Sequence, residues 1–184
     1  MIKKPILIAE VKIQSPFGFK SAKSWDELFK IAKKHGDWIS IHTDPQWGGS
    51  FDLIKKAKSL TSKPILAKGI HRTNRELELA FKAGADYALV VGRIPSDEYI
   101  HKCLIEPYII EELRKIPENL KCVWNSRDLN TGGLKTETFE MARKAWEGWL
   151  CQASNIKTEK DIKKGANAIL VGEGLTRFVK EYIL

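Results

Sequence analysis

The stretch PILIAEVKIQSP, residues 5–16, begins as a buried strand through Ile6, Leu7, Ile8 and Ala9. It then places Glu10 and Lys12 where further apolar residues would be expected. Side chains two apart on a strand point to the same face, so Glu10 and Lys12 share a face with Ile6 and Ile8 at the strand's C-terminal end. Charges are rarely buried without a partner. The placement therefore implies a polar pocket at one end of an apolar sheet. The plainer alternative is a strand that ends early, with both charges in water.

The rest of the chain decides between these. Apolar, β-branched runs alternate with charged amphipathic runs throughout, the pattern of a parallel sheet with crossover helices. Strands are expected at 5–12, 37–43, 64–69, 85–92, 102–107, 121–126, 147–154 and 166–173. Helices are expected at about 24–35, 50–61, 73–83, 109–116, 136–146, 158–164 and 176–183. Eight βα units indicate a compact α/β (β/α)8 TIM barrel, well below the roughly 250 residues usual for that fold. Between the fourth and fifth strands only RIPSDEYIHK remains, so the helix there is expected to be shortened or missing. The rival architecture, an open doubly wound sheet, would be marked by a glycine-rich phosphate turn, and none opens any helix.

At 184 residues the chain suits one domain, 1–184, with a single core. The formal charge of +8 and pI near 9.3 invite a nucleic-acid reading. Most lysines, however, lie in segments such as ELFKIAKKHG and TEKDIKKG, interleaved with apolar positions, and are expected on solvated helix faces. No nucleic-acid module is recognisable, no run reaches the length of a membrane span, and the N-terminal apolar run is too short for a signal peptide; a cytoplasmic protein is expected. Cys103, Cys122 and Cys151 each sit in an apolar run, which suits buried reduced thiols better than disulfides or a metal cluster.

Barrel active sites gather at the C-terminal ends of the strands. Those ends carry Glu10 and Lys12 on strand one, Lys68 on strand three, Glu106 on strand five, Asn125 and Arg127 at strand six, and Ser154 at strand seven. Any one of these is readily a strand-end group reaching water. Together they point to one shared cavity.

In this order IAEVKIQSP, GGS, ILAKG, CLIEP, NSRDL and SNIKT…AILVGEGL make the chain similar to indole-3-glycerol-phosphate synthases over nearly its whole length. In that family the first strand carries E-x-K-x-x-S-P, the third a lysine followed by Asp-Phe, the fifth a glutamate, the sixth N-x-R-D-L and the seventh E-S-G. The resemblance places Glu10, Lys12, Ser15, Pro16, Lys68, Glu106, Asn125, Arg127 and Ser154 in the functional set. Two motifs depart from it. Lys68 is followed by Gly69-Ile70, and the seventh-strand motif is Ala153-Ser154-Asn155, without the carboxylate that helps hold substrate hydroxyls. The roughly forty residues that usually precede the first strand, with a helix that helps cover the substrate, are also expected to be missing.

The resemblance implies a ring closure on 1-(2-carboxyphenylamino)-1-deoxyribulose 5-phosphate, with loss of carbon dioxide and water and no metal or cofactor, in tryptophan biosynthesis. Lys68 would be the general acid, Glu106 the base of the dehydration, and Lys12 or Lys68 its acid. Lys12 would also pair with the substrate carboxylate, Glu10 would hold the two lysines, and Asn125 would orient Glu106. A Glu10–Lys12 salt bridge inside the barrel is the structural alternative.

Phosphate is expected on the loops after strands seven and eight, at Ser154, Asn155, Gly172 and Glu173, with Ser15 and Arg127 opposite. Glu173 is expected to point away from it. Trp47, Leu89, Leu129 and Phe17 are candidates to line the site of the aryl ring. The expected partner is thus a small phosphorylated aromatic substrate, with association with other enzymes of the pathway also open. The competing readings are a related phosphosugar isomerase, which would want a Cys and Asp pair at strand ends, and a barrel that has lost catalysis and serves as a partner subunit.

Overall fold

The computed structural model describes residues 4–182. In chain order the elements are β1 (Ile6–Val11), α1 (Trp25–His35), β2 (Trp38–His42), α2 (Phe51–Leu60), β3 (Ile65–Lys68), α3 (Asn74–Lys82), β4 (Tyr87–Val91) and α4 (Asp97–Ile100). They continue with β5 (Cys103–Glu106), α5 (Ile110–Leu113), β6 (Lys121–Asn125), α6 (Phe139–Ala145), β7 (Trp149–Ala153), β8 (Ala168–Val171) and α7 (Leu175–Tyr182). The eight strands are all parallel and form a closed barrel, β8 returning to pair with β1.

Closure explains why the strands read as nearly continuous apolar runs, because both faces of a parallel sheet are buried. Ile8, Leu66, Leu89, Leu104, Val123, Cys151 and Leu170 point inward and fill the barrel. The alternate residues, such as Leu7, Ala9, Ile39, Ile41, Ile65 and Ala67, pack outward against Leu28, Phe29, Ile54, Leu77 and Phe178 of the helices. Each fully buried aliphatic side chain contributes about 1.5–3 kcal/mol. The three cysteines belong to these layers and are unbridged, and burial pushes the thiols of Cys103 and Cys122 up to about 12.

The two ends of the barrel differ. At the N-terminal end Trp38 stacks on Tyr87 with ring centroids 4.4 Å apart, and on Trp149 at 6.2 Å, so the first residues of β2, β4 and β7 make an aromatic floor. A polar side chain just before a strand also ties down an N–H of its neighbour's first two residues. Leu7 N–H donates to Asp37 at 2.8 Å, Ile65 N–H to Asp86 at 2.8 Å, and Leu150 N–H to Asn167 at 2.9 Å. Aromatic packing and these ties close the N-terminal end, and the polar strand-end groups stand at the opposite, C-terminal mouth.

The outer layer is thin on one side. α4 is a single turn, as the short β4–β5 connection requires, and α5 is also one turn rather than the expected 109–116, ending ahead of Pro117. The helix expected at 158–164 is only a 3-10 turn, Glu159–Asp161. Its backbone groups are taken elsewhere: the Gln152 amide donates to Asp161 O and accepts from Lys163 N–H, both at 2.8 Å, while the Asp161 carboxylate accepts from Lys157 and Thr158 N–H. The expected 176–183 helix runs from Leu175 to Tyr182, and residue 183 lies outside the described residues. Among the described residues no helix is long and apolar enough to cross a membrane.

Asp86 also carries an exposed ion pair with Lys58 at 2.8 Å. Asp86→Ala is expected to cost about 1–3 kcal/mol in urea denaturation, because it orphans the Ile65 N–H, whereas Lys58→Ala costs under about 1 kcal/mol. Equal losses would show that the strand tie contributes nothing beyond the surface pair.

Candidate active site

Glu10 lies near the end of β1 and is only 3% exposed. One carboxylate oxygen, Oε1, is 2.6 Å from Lys68 Nζ on β3 and 2.6 Å from His42 Nε2 on β2. Its other oxygen rests on the Cα of Gly172, where any Cβ would collide with it. Burial drives the Glu10 carboxyl upward, but Lys68 first, then His42 and Lys12, together hold it well below the usual carboxylate range. Glu10 is therefore an anion at neutral pH. Its ion pair is with Lys68, so the alternative of an internal Glu10–Lys12 bridge is not what forms, and Glu10 grips one lysine directly.

Lys12, 8% exposed, reaches outward to Glu173 Oε1 at 2.8 Å. Glu173 Oε2 meets Arg127 Nη2 at 3.2 Å. Glu173, expected to point away from the phosphate, instead lays its carboxylate across the mouth between two neighbouring cations.

Glu106 closes β5 on the far wall and is 2% exposed. Burial pushes its carboxyl above the usual range, against the opposing pull of Lys68 and a 2.8 Å hydrogen bond from Asn125 Nδ2. Asn125 is itself fixed, its Oδ1 accepting from Ser154 Oγ at 2.6 Å and from Arg127 N–H at 3.0 Å. Ser154 and Asn155 both have left-handed backbones, φ 70° and 57°. The position where the family motif has glycine is thus filled by asparagine, a residue that tolerates this conformation better than most.

Two adjoining cavities open above these groups. The first, about 480 Å³, is lined by Lys12, His42, Lys68, Glu106, Asn125, Arg127 and Ser154, with Phe17, Trp47, Leu89 and Leu129 among its apolar walls. Phe17 meets Trp47 edge-on, ring centroids 6.3 Å apart. The second, about 430 Å³, shares Lys12, Lys68, Arg127 and Ser154 and adds Glu10, Asn155, Gly172 and Glu173.

Two candidates stand apart. Ser15 is buried, but its hydroxyl accepts the Phe17 and Phe19 N–H groups at 3.3 Å and lines neither cavity. Pro16 is exposed on the same loop. Both shape the turn after β1, whose backbone needs those bonds, rather than facing the cavity.

His42 was not among the strand-end candidates, although ISIHTD ends β2 with a polar residue in the same way as the other strands. It is 5% exposed, lines the first cavity, and its ring lies nearly parallel to Trp47, 3° apart in plane with centroids 6.0 Å apart. Burial depresses its imidazole below the usual value, against the pull of Glu10. A neutral ring beside a carboxylate donates from Nε2. Ile70, Val91 and Lys157 also line the cavities unanticipated.

The Gly69-Ile70 departure has a local cause. A Cβ at Gly69 would collide with the Thr43 hydroxyl, which is bound to His71 Nε2 at 3.0 Å, so an aspartate there would have to displace that hydroxyl. As a whole the mouth combines an apolar wall, several cations, an ionised carboxylate and a second carboxyl raised toward neutrality. Such a set can seat a flat anionic molecule and move protons on it.

No family model matches the chain. The indole-3-glycerol phosphate synthase of Bacillus pumilus is 30% identical over 197 residues, covering 93% of this chain and 78% of that protein. That of Sulfurisphaera tokodaii is 27% identical over 198 residues, covering 96% and 80%. Among solved structures, 3-hexulose-6-phosphate synthase superposes with a TM-score of 0.65 at 15% identity over 94% of this chain and 99% of that one, a likeness of fold. With the strand-end groups brought together at one mouth and identity of this extent along the chain, the protein belongs to the indole-3-glycerol phosphate synthase family.

Proposed function

We propose that the chain converts 1-(2-carboxyphenylamino)-1-deoxyribulose 5-phosphate to indole-3-glycerol phosphate, carbon dioxide and water, a carboxy-lyase step of tryptophan biosynthesis. The observation that carries this reading is a pair of buried carboxyls shifted in opposite directions at the two adjoining cavities of one mouth: Glu10 held as an anion by Lys68, and Glu106 raised by burial. Environments that push two like groups apart assign one to charge stabilisation and the other to proton transfer.

The aryl ring would lie between Trp47, Phe17, Leu89 and Leu129, its carboxylate toward Lys12. The phosphate would lie by Ser154, Asn155, Gly172 and Arg127, with Glu173 giving way to it. Lys68 protonates the ketose oxygen as the aryl carbon attacks the carbonyl carbon, so the carbonyl becomes a hydroxyl. The carboxylate then leaves as carbon dioxide, its bonding electrons restoring the aromatic ring. Glu106 next takes a proton from the ring-closed intermediate, and the hydroxyl leaves as water with a proton from a lysine. Glu10 keeps the Lys68 ammonium aimed throughout, and Asn125 does the same for Glu106.

The direct test is indole fluorescence from the purified chain. Lys68→Ala and Glu106→Gln are each expected to lower kcat by about 10²–10⁴-fold with unfolding midpoints near the parent's; unchanged turnover in either would remove its role. A folded parent that makes no product at saturating substrate would favour a partner-subunit barrel, the reading that Ala153 motivates.

Glu106 must be ionised to act as base, and its carboxyl is raised. The rate should therefore fall on the acid side at a pH above the ordinary carboxylate range, and Glu106→Gln should abolish that limb. Arg127→Ala is expected to raise KM with a smaller effect on kcat; a normal KM would contradict its place near the phosphate.

A further inference from the structure

The hydrogen bond between His42 and Glu10 has no counterpart in the roles assigned above, yet its geometry is as constrained as that of the lysine pair. Both His42 Nε2 and Lys68 Nζ sit 2.6 Å from the same oxygen, Glu10 Oε1, while the opposite oxygen is backed by Gly172. The carboxylate is thus held on three sides, by His42, Lys68 and Gly172. His42 in turn is fixed from several directions. It ends β2 in register with Lys68 on β3, its carbonyl accepts the Ser50 N–H at 3.1 Å, Gly49 packs so closely that a Cβ there would strike its backbone, and its ring lies parallel to Trp47.

A donor at this point can be a cation or a neutral dipole, and the surroundings choose. The charged groups facing His42 are Glu10 from β1, Lys12 just after it and Lys68 from β3, so a protonated ring would be a third cation near one carboxylate in a buried place. A neutral imidazole supplies the hydrogen bond without competing for the charge that Lys68 requires.

We propose that His42 is a positioning residue, an uncharged donor that sets the angle of Glu10 and, through it, aims the Lys68 ammonium at the reacting oxygen. The role rests on the synthase reading of the site. It differs from a packing role because it depends on the Nε2 donor and not on the ring's volume.

The experiment compares parent, His42→Leu and His42→Gln, the glutamine amide reaching about where Nε2 stands. His42→Leu is expected to lower kcat about 10–100-fold with KM within about threefold, and His42→Gln to regain most of the loss. Parent-like kcat in His42→Leu, or an equal loss in both variants, overturns the proposal.

Nitrogen-15 spectra of labelled histidines read the bond without turnover. The His42 ring is expected to be neutral and protonated on Nε2 at pH 7; a charged ring or the Nδ1–H tautomer overturns the proposal by itself. A parent that makes no product while its His42 spectrum is as expected counts against the synthase reading and leaves the hydrogen bond standing.

Discussion

The constraint on which the rest of this structure depends is the burial of one carboxylate at the centre of a closed barrel. Taking Glu10 out of water favours its neutral form strongly, and it remains an anion only because Lys68 and His42 each stand 2.6 Å away, with Lys12 nearby. Those partners come from different strands, and the glycine beneath its second oxygen comes from the turn after β8. Four strand ends must therefore be at their barrel positions before the charge is tolerable. The aromatic floor and the strand-start ties at the opposite end supply that rigidity, far from the chemistry.

Glu106 is subject to the same burial with the opposite outcome. Its nearest polar partner is an amide, Asn125, and the cations act on it from further away, so desolvation prevails and the carboxyl is raised. One physical effect, balanced differently by the local donors, produces two carboxyl groups suited to different tasks. The chain Ser154 to Asn125 to Glu106 fixes the second group as firmly as His42 and Lys68 fix the first.

Where the chain departs from the family's motifs, the neighbouring residues have adjusted with it. Gly69 makes room for the Thr43–His71 hydrogen bond, and Asn155 takes a left-handed backbone that the motif meets with glycine. Ala153 has no such replacement among the cavity groups, so the mouth at β7 is less polar than the motif implies. The Lys12–Glu173–Arg127 bridge adds a carboxylate to the mouth instead, and it comes from the loop after β8.

The sequence by itself determined the barrel, its eight strands and the shortened β4–β5 connection, because alternating apolar and amphipathic periods report burial directly. It also determined which residue types stand at the strand ends, since a strand's two-residue period leaves no choice of face: Glu10 had to share its face with Ile8. It did not determine who pairs with whom. Lys68 rather than Lys12 on Glu10, Glu173 across the mouth, and His42 as a partner are distances between residues far apart in the chain, decided by barrel closure and register. The 3-10 turn at Glu159–Asp161 belongs with them, for the local sequence favours a helix and Gln152, reaching over from β7, takes the hydrogen bonds that the helix would have needed.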